Sequence, residues 1–127
     1  MITYAYERVS SKDQNLERQE TAIKKFRPDI PDANIFRDKV TGKTFDRENY
    51  NAMKIILEHI SKASDSNEII EVVFEEMDRL GRDKESIKKE LQWYKEYGIY
   101  TRILELPSTL VDIEPANAGK GYSTISD

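Results

Sequence analysis

Strand-like and helix-like segments alternate along residues 1–106 of the chain. The strand-like runs are rich in aromatic and β-branched residues and cover 2–9, 34–38, 68–77 and 99–106. Apolar residues at helical spacing cover 16–26, 47–62 and 84–97. Alternation of this kind, with short connections, predicts a doubly wound α/β domain. We expect a mostly parallel sheet of four to five strands with helices on both faces.

Polar residues and breakers mark the ends of the predicted helices. Asn15, Asp46 and Asp83 precede them and are N-cap candidates. The segment RPDIPDA, with its two prolines, ends the first helix, and Gly98 ends the third. The apolar run IIEVVF predicts a strand that is covered on both faces.

The periodic pattern stops after Pro107. We therefore predict one domain at 1–106, followed by an irregular tail at 107–127. A length of 127 residues suits one domain with a single core.

Composition narrows the classes of function. Hydrophobic residues make up 38% of the chain and charged residues 35%, which is typical of a globular domain with a well-solvated surface. No apolar run reaches the ~18–20 residues of a membrane span, and no signal segment opens the chain. With no cysteine, disulfide and thiolate chemistry are excluded. The expected compartment is the cytoplasm.

Charge and histidine content exclude further kinds of site. The net charge of −4 argues against a domain whose main task is to grip the DNA backbone. The single histidine, His59, lies in a helix-like stretch, so we predict neither a histidine metal site nor a Ser-His-Asp triad. Since glycine-rich nucleotide-binding patterns are also missing, we predict no metal and no cofactor.

Polar residues follow three of the predicted strands: Arg8-Val9-Ser10, Asp38-Lys39, and the segment 78–82. The carboxyl ends of parallel strands meet at one edge of a sheet, where ligands bind. We therefore expect hydroxyls, arginines and aspartates to gather there, with Gln14 and Arg47 added from adjoining loops.

Such a set suits a phosphate group. Arginine binds phosphate oxygens in bidentate fashion and stabilises charge that builds on them. A serine hydroxyl needs such help to act as a nucleophile. Each residue also has a plain structural explanation: Arg8 as a rim charge, Asp78-Arg79 as a surface ion pair, Gly81 as a turn residue. From these patterns alone, the chain is an α/β domain with an anion site.

Three blocks of sequence resemble the serine site-specific recombinases, the resolvase/invertase family. The segment 6–19 is similar to the family opening Y-x-R-V-S-x-x-x-Q-x-L-x-x-Q, and 35–47 to its second block. The segment 78–83 resembles its D-R-L-G-R signature, and the blocks occur in family order. Glu7 departs from the small residue common in the family, and the sequence offers no account of it.

The resemblance implies that a serine attacks a DNA phosphodiester, forming a 5′-phosphoserine link and freeing a 3′-hydroxyl. By position, Ser10 is the nucleophile. The other roles that the resemblance assigns are phosphate binding and activation by Arg8, Arg79 and Arg82, a further phosphate contact by Arg47, proton handling by Asp78, and support by Asp38, Gln14 and Gln19.

The resemblance also implies partners: double-stranded DNA, a homodimer on DNA, and a homotetramer in the synaptic complex. It also implies that the tail leads into a long helix and a C-terminal DNA-binding domain that are absent from these residues, so residues 1–127 alone are expected to be inactive. The sequence does not separate resolvase, invertase, transposase and integrase functions of mobile elements, although a strand that starts at residue 2 disfavours a preceding DNA-binding domain. The alternative is a non-catalytic phosphate- or nucleic-acid-binding α/β regulatory module. A receiver or phosphatase would need an acidic cluster or a cysteine loop.

Overall fold

The computed structural model describes residues 1–10, 16–40, 47–63 and 67–111, and leaves the side chain of Ser10 undescribed. These residues form one four-stranded parallel sheet with the order β2-β1-β3-β4. The elements are β1 (Ile2–Ser10), α1 (Leu16–Phe26), β2 (Ile35–Val40), α2 (Glu48–Ala63), β3 (Ile70–Phe74), α3 (Lys84–Glu96) and β4 (Tyr100–Ile103).

The helices cover both faces of the sheet, so the predicted doubly wound α/β fold is confirmed. Helix α1 packs on one face, where Ile23 meets Ala5 and Val73. Helices α2 and α3 pack on the other face in a larger core that contains Tyr6 and Phe74. Alternate residues of a strand point to opposite faces, so neighbouring positions of β1 serve different cores.

Helix bounds agree closely with the predictions. Helix α1 has the predicted bounds, and the chain turns at Pro28 and Asp29 directly after it. Asp83 is the N-cap of α3, accepting a hydrogen bond from Ser86 N at 2.8 Å. Gly98 follows this helix with a φ of 69°, a left-handed conformation that suits glycine. The other two predicted caps, Asn15 and Asp46, lie outside the described residues.

Strand bounds differ more. The predicted strand 68–77 is shorter in the structure, because the chain bends after Phe74 and forms a 3₁₀ turn at Met77–Arg79. Strand β4 likewise ends at Ile103, before a turn at Pro107–Thr109. Strand β2, predicted at 34–38, extends to Val40.

The first residues of the predicted tail pack on β4. Thr109 is buried, and its hydroxyl accepts a hydrogen bond from Ile103 N at 2.8 Å. Residues 112–127 lie outside the described part of the chain. Among the described residues, no helix is both long and apolar enough to span a membrane.

Candidate active site

The carboxyl end of β1 projects beyond its neighbour β3. Strand β3 ends level with Tyr6, whereas β1 continues to Ser10 and pairs there only with β2. The chain after β3 lies against this end, since Arg8 Nη2 donates to the carbonyl oxygen of Asp78 at 2.7 Å. The strand-end segments that the sequence singled out therefore do meet at one edge.

Gln19 joins β1 to the chain after β3. Its amide is fully buried and bonds both backbone groups of Arg8: Oε1 accepts from the N–H at 3.1 Å, and Nε2 donates to the carbonyl at 3.0 Å. Oε1 also accepts from Arg79 Nε at 3.1 Å. One side chain of α1 thus fixes the backbone of one proposed phosphate-binding arginine and the guanidinium of another.

Arg79 is buried, whereas its neighbour Asp78 is largely exposed. The Arg79 Nη1 atom donates to Asp78 Oδ1 at 2.8 Å, and Nη2 lies 3.5 Å from Glu76 Oε2. Because this guanidinium is buried, the pair is more than the exposed ion pair considered from the sequence. Asp78 holds one side of the Arg79 fork while it stays accessible to solvent.

Arg47 anchors the same segment from the opposite side. Its guanidinium is buried and donates to the carbonyls of Arg79 at 2.6 Å and of Leu80 at 2.8 Å. Its Cζ atom lies 3.9 Å from the centre of the Tyr50 ring, within the range of a cation–π contact. Three successive carbonyls, those of residues 78–80, therefore accept hydrogen bonds from Arg8 and Arg47.

Asp38 has a structural set of partners. Its carboxylate accepts from the N–H groups of Asn49 at 3.0 Å and Tyr50 at 2.9 Å, in the first turn of α2. It also accepts from Tyr6 Oη at 2.8 Å. Burial and this hydrogen bond raise the pKa of Tyr6 well above its ordinary value. In these contacts Asp38 orients the first turn of α2 and the Tyr6 hydroxyl.

The edge is rich in positive charge. Burial lowers the pKa of Arg8, and the nearby charges of Arg47 and Arg79 lower it further, against opposing effects of Tyr6 and Asp78. Arginine stays protonated even so. A group of cations held close together favours an anionic ligand such as a phosphate.

The remaining predicted site residues are Ser10, Gln14 and Arg82. The structure puts the backbone of Ser10 at the end of β1, opposite Val40, and its side chain lies outside the description. Gln14 lies outside the described residues. Arg82 is exposed in the turn before α3, and its charge, together with stronger hydrogen bonds from Ser86, lowers the pKa of Asp83.

Gly81 has a reason to be glycine that differs from the one expected. Among the described residues only Gly98 has a positive φ, so Gly81 does not serve a left-handed turn. A Cβ atom at position 81 would lie 2.7 Å from Cβ of Ser86 and 3.0 Å from the backbone N of Ile87. Glycine is needed because the segment passes against the start of α3.

Sequence reasoning missed a second set of contacts around α1. Arg18 lies 3.2 Å from Glu75 just after β3, and Glu20 accepts a hydrogen bond from Arg37 on β2. Since Gln19 contacts β1, three consecutive residues of α1 contact three adjacent strands or the chain just after them. Arg37 also donates to Glu7 at 3.1 Å, which gives that unexplained residue a partner. The Glu7–Arg37 pairing follows from strand register, which the sequence did not reveal.

The fold and this edge define an α/β domain with a cluster of arginines beyond the carboxyl ends of its strands. The family model of the resolvase N-terminal domain matches residues 3–120, and the chain belongs to that family. The resemblance seen in three sequence blocks is thereby confirmed. No curated protein matches the chain. Family membership makes this a serine recombinase-type domain, of the recombinase or nuclease class of enzymes, that acts on DNA in recombination.

Proposed function

We propose that Ser10 is the nucleophile of a DNA strand-cleavage reaction. Its Oγ attacks a backbone phosphorus, the bond to the 3′ oxygen breaks, and a 5′-phosphoserine forms. The serine proton is released as the bond forms, and the departing 3′ oxygen takes up a proton. In the reverse step the 3′-hydroxyl of an exchanged strand attacks the phosphoserine, so religation needs no outside energy source.

The observation that carries the proposal is the Gln19 amide, which bonds Arg8 and Arg79 together at the end of β1. Ser10 lies two residues beyond Arg8 on the same strand. Donors that are preorganised in this way stabilise charge that develops on phosphate oxygens without reorganising during the reaction. We assign phosphate binding and activation to Arg8, Arg79 and Arg82.

The supporting roles of three residues follow their contacts. Asp78 orients Arg79 and is exposed to solvent, which suits the handling of a proton. Arg47 holds the segment 78–80 and, in the proposed complex, adds a phosphate contact. Asp38 supports the site through Tyr6 and α2, and Gln14 is assigned a supporting role from the family resemblance alone.

We further propose that residues 1–106 form the catalytic domain of a longer recombinase. Its long helix and DNA-binding domain would supply the dimer contacts and the site reading. A homodimer on each duplex and a homotetramer at synapsis would carry out strand exchange, whether for resolution, inversion, transposition or integration.

Replacement of the nucleophile tests the mechanism. In the intact protein, Ser10→Ala should abolish cleavage of DNA that carries the recombination site, with site binding nearly unchanged, because one hydroxyl adds little to the interface. Ser11→Ala is the matched control and should keep substantial cleavage. For the wild type, denaturing gels and mass spectrometry should find a 5′ DNA end attached covalently to Ser10. A link to Ser11 or to a tyrosine would contradict the mechanism.

Replacement of the arginines tests the site. Arg8→Ala, Arg79→Ala and Arg82→Ala should each slow cleavage by about 10²–10³-fold, the usual effect of losing one preorganised donor. Lysine should rescue poorly, because it lacks the bidentate fork. Single-turnover rates would measure both effects. Full activity of Arg82→Ala would remove this exposed residue from the site.

One observation favours the alternative of a phosphate-binding module that does not cut DNA. The net charge of −4 is unfavourable for gripping a duplex. We expect residues 1–127 to bind duplex DNA weakly, without sequence preference, and less tightly as salt rises. Fluorescence anisotropy at several salt concentrations measures this. Tight, site-specific binding by this chain would mean that recognition lies within it.

A further inference from the structure

Glu7 is buried completely at the end of β1 that carries the site, yet it is poorly satisfied. Its Oε1 accepts from Arg37 Nε at 3.1 Å. Among the described residues, its Oε2 is buried without a hydrogen-bond partner. A buried carboxylate oxygen in this state is costly. Its presence next to Arg8 therefore calls for a reason beyond packing.

The contacts of Glu7 lead back to the site. Arg37 bonds Glu7 through Nε and Glu20 through Nη2. Glu20 adjoins Gln19 on α1, and Glu7 adjoins Arg8 on β1. The chain Glu7–Arg37–Glu20 is thus a second connection between α1 and the sheet, one residue away from the Gln19 connection at both ends.

We propose that Glu7 is a positioning residue: through Arg37 and Glu20 it fixes α1 against the sheet, and so fixes the Gln19 amide that aligns Arg8 and Arg79. Its effect on cleavage rests on the proposed function. Its effect on Gln19 does not, and is measurable in the absence of DNA.

Glu7 changes its charge in an accessible pH range. Burial raises its pKa to about 7, with Arg37 and Lys24 lowering it and Glu20 raising it. Among the described residues these are the charged groups that face Glu7, from β2 and from α1. Above this pH Glu7 is a carboxylate that forms an ion pair with Arg37. Below it the carboxyl is neutral and the ion pair is lost.

The first experiment follows the Gln19 side-chain amide by ¹⁵N–¹H NMR of the 127-residue chain, from pH 5.5 to 8.5. The wild type should show a titration with a midpoint near 7. Glu7→Gln should remove it, and Arg37→Gln should remove it as well, because the connection from Glu7 to α1 runs through Arg37. Histidine also titrates in this range, so His59→Gln is the control and should keep the response.

The second experiment measures cleavage by the intact protein on DNA with its recombination site, at pH 6 to 8. Glu7→Gln should slow single-turnover cleavage at pH 8 by about tenfold or more, as small misplacements of catalytic groups do, with unchanged DNA binding. Glu7→Asp should recover part of the rate. Glu58→Gln, an isosteric change on α2, should match the wild type.

The outcomes separate the two proposals. A Gln19 resonance that ignores pH, or a response that survives Glu7→Gln, overturns the positioning role. A Glu7→Gln protein that loses the NMR response but cuts at the wild-type rate overturns its catalytic consequence. If the wild type forms no covalent DNA link, the proposed function fails, and the NMR titration still decides whether Glu7 positions Gln19.

Discussion

Two glutamates are buried completely on the α1 side of the sheet, Glu7 near the carboxyl end of β1 and Glu71 near the amino end of β3. Their surroundings differ in the number of donors. Each oxygen of Glu71 accepts two hydrogen bonds, from Thr3, Arg27 and Arg102, at 2.6–3.0 Å. Glu7 has one arginine, and among the described residues its other oxygen has no hydrogen-bond partner.

The pKa values of the two glutamates shift in opposite directions. For Glu71, burial pushes the pKa up, but the hydrogen bonds from Arg27, Arg102 and Thr3 outweigh it, and the pKa falls below its ordinary value. For Glu7, burial prevails and raises the pKa to about 7. Equal burial therefore has opposite results, because the number of donors decides the sign. The carboxylate with four hydrogen bonds lies away from the site, and the one with fewer donors lies beside it.

The largest effect is expected for Glu71→Gln. The amide cannot neutralise Arg102, which is 1% exposed, and its NH₂ group meets arginine donors. Removing one partner of a buried charge cluster typically costs about 3 kcal/mol or more. Urea denaturation of the 127-residue chain at pH 7 measures the loss. A loss below about 1 kcal/mol would show that the cluster is not a stabilising core element.

The stability that Glu71 contributes to the wild type depends on pH. A lowered pKa means that Glu71 contributes its stability above the ordinary carboxyl value, and this contribution is lost as pH falls through the folded-state pKa. The Glu71→Gln penalty should therefore shrink on acidification.

Glu7→Gln should have the reverse effect. A raised pKa means that the favourable contribution of Glu7 is complete below about pH 4.5 and is lost as pH rises through about 7. A permanently neutral glutamine escapes that loss. The variant should match the wild type at pH 5 and be more stable by about 2 kcal/mol at pH 8. Denaturation at both pH values checks this, and destabilisation at pH 8 would show that the Arg37 pair outweighs burial.

The smallest effect is expected for Arg18→Gln. Arg18 is about half exposed where it meets Glu75, at 3.2 Å. The Glu75 side chain is 14% exposed, but solvent reaches the pair from the Arg18 side, so the free energy of unfolding should fall by about 1 kcal/mol or less. The same denaturation assay applies. A loss as large as that of Glu71→Gln would mean that solvent exposure does not determine how much these ion pairs contribute to stability.

Local signals predicted the helices better than the strands. Helix α1 ends where prolines deny it donors, and α3 begins at a residue that caps it. The strand run 68–77 stays partly apolar after Phe74, so its composition did not reveal the bend there. That bend depends on contacts from Arg8 and Arg47, which are distant in sequence.

For the site, the sequence predicted the residues that gather, but not how they are held. The strand-end rule and the family blocks brought Arg8 and Arg79 together. Gln19 interrupts an apolar stripe, a polar exception that could have pointed to a buried bond. The role of Arg47 as an anchor and the partner of Glu7 both depend on register and tertiary contact, which no local pattern contains.

The anchoring of residues 78–80 through their carbonyls divides mutations into two kinds. Every residue type has a carbonyl, so changing the side chain of Asp78 leaves its hydrogen bond from Arg8 available. An inserted or deleted residue instead moves each carbonyl by up to about 3.8 Å, one Cα spacing, out of reach of the guanidinium groups. A substitution here should therefore act through the lost side chain alone, whereas a change in length should displace the whole segment.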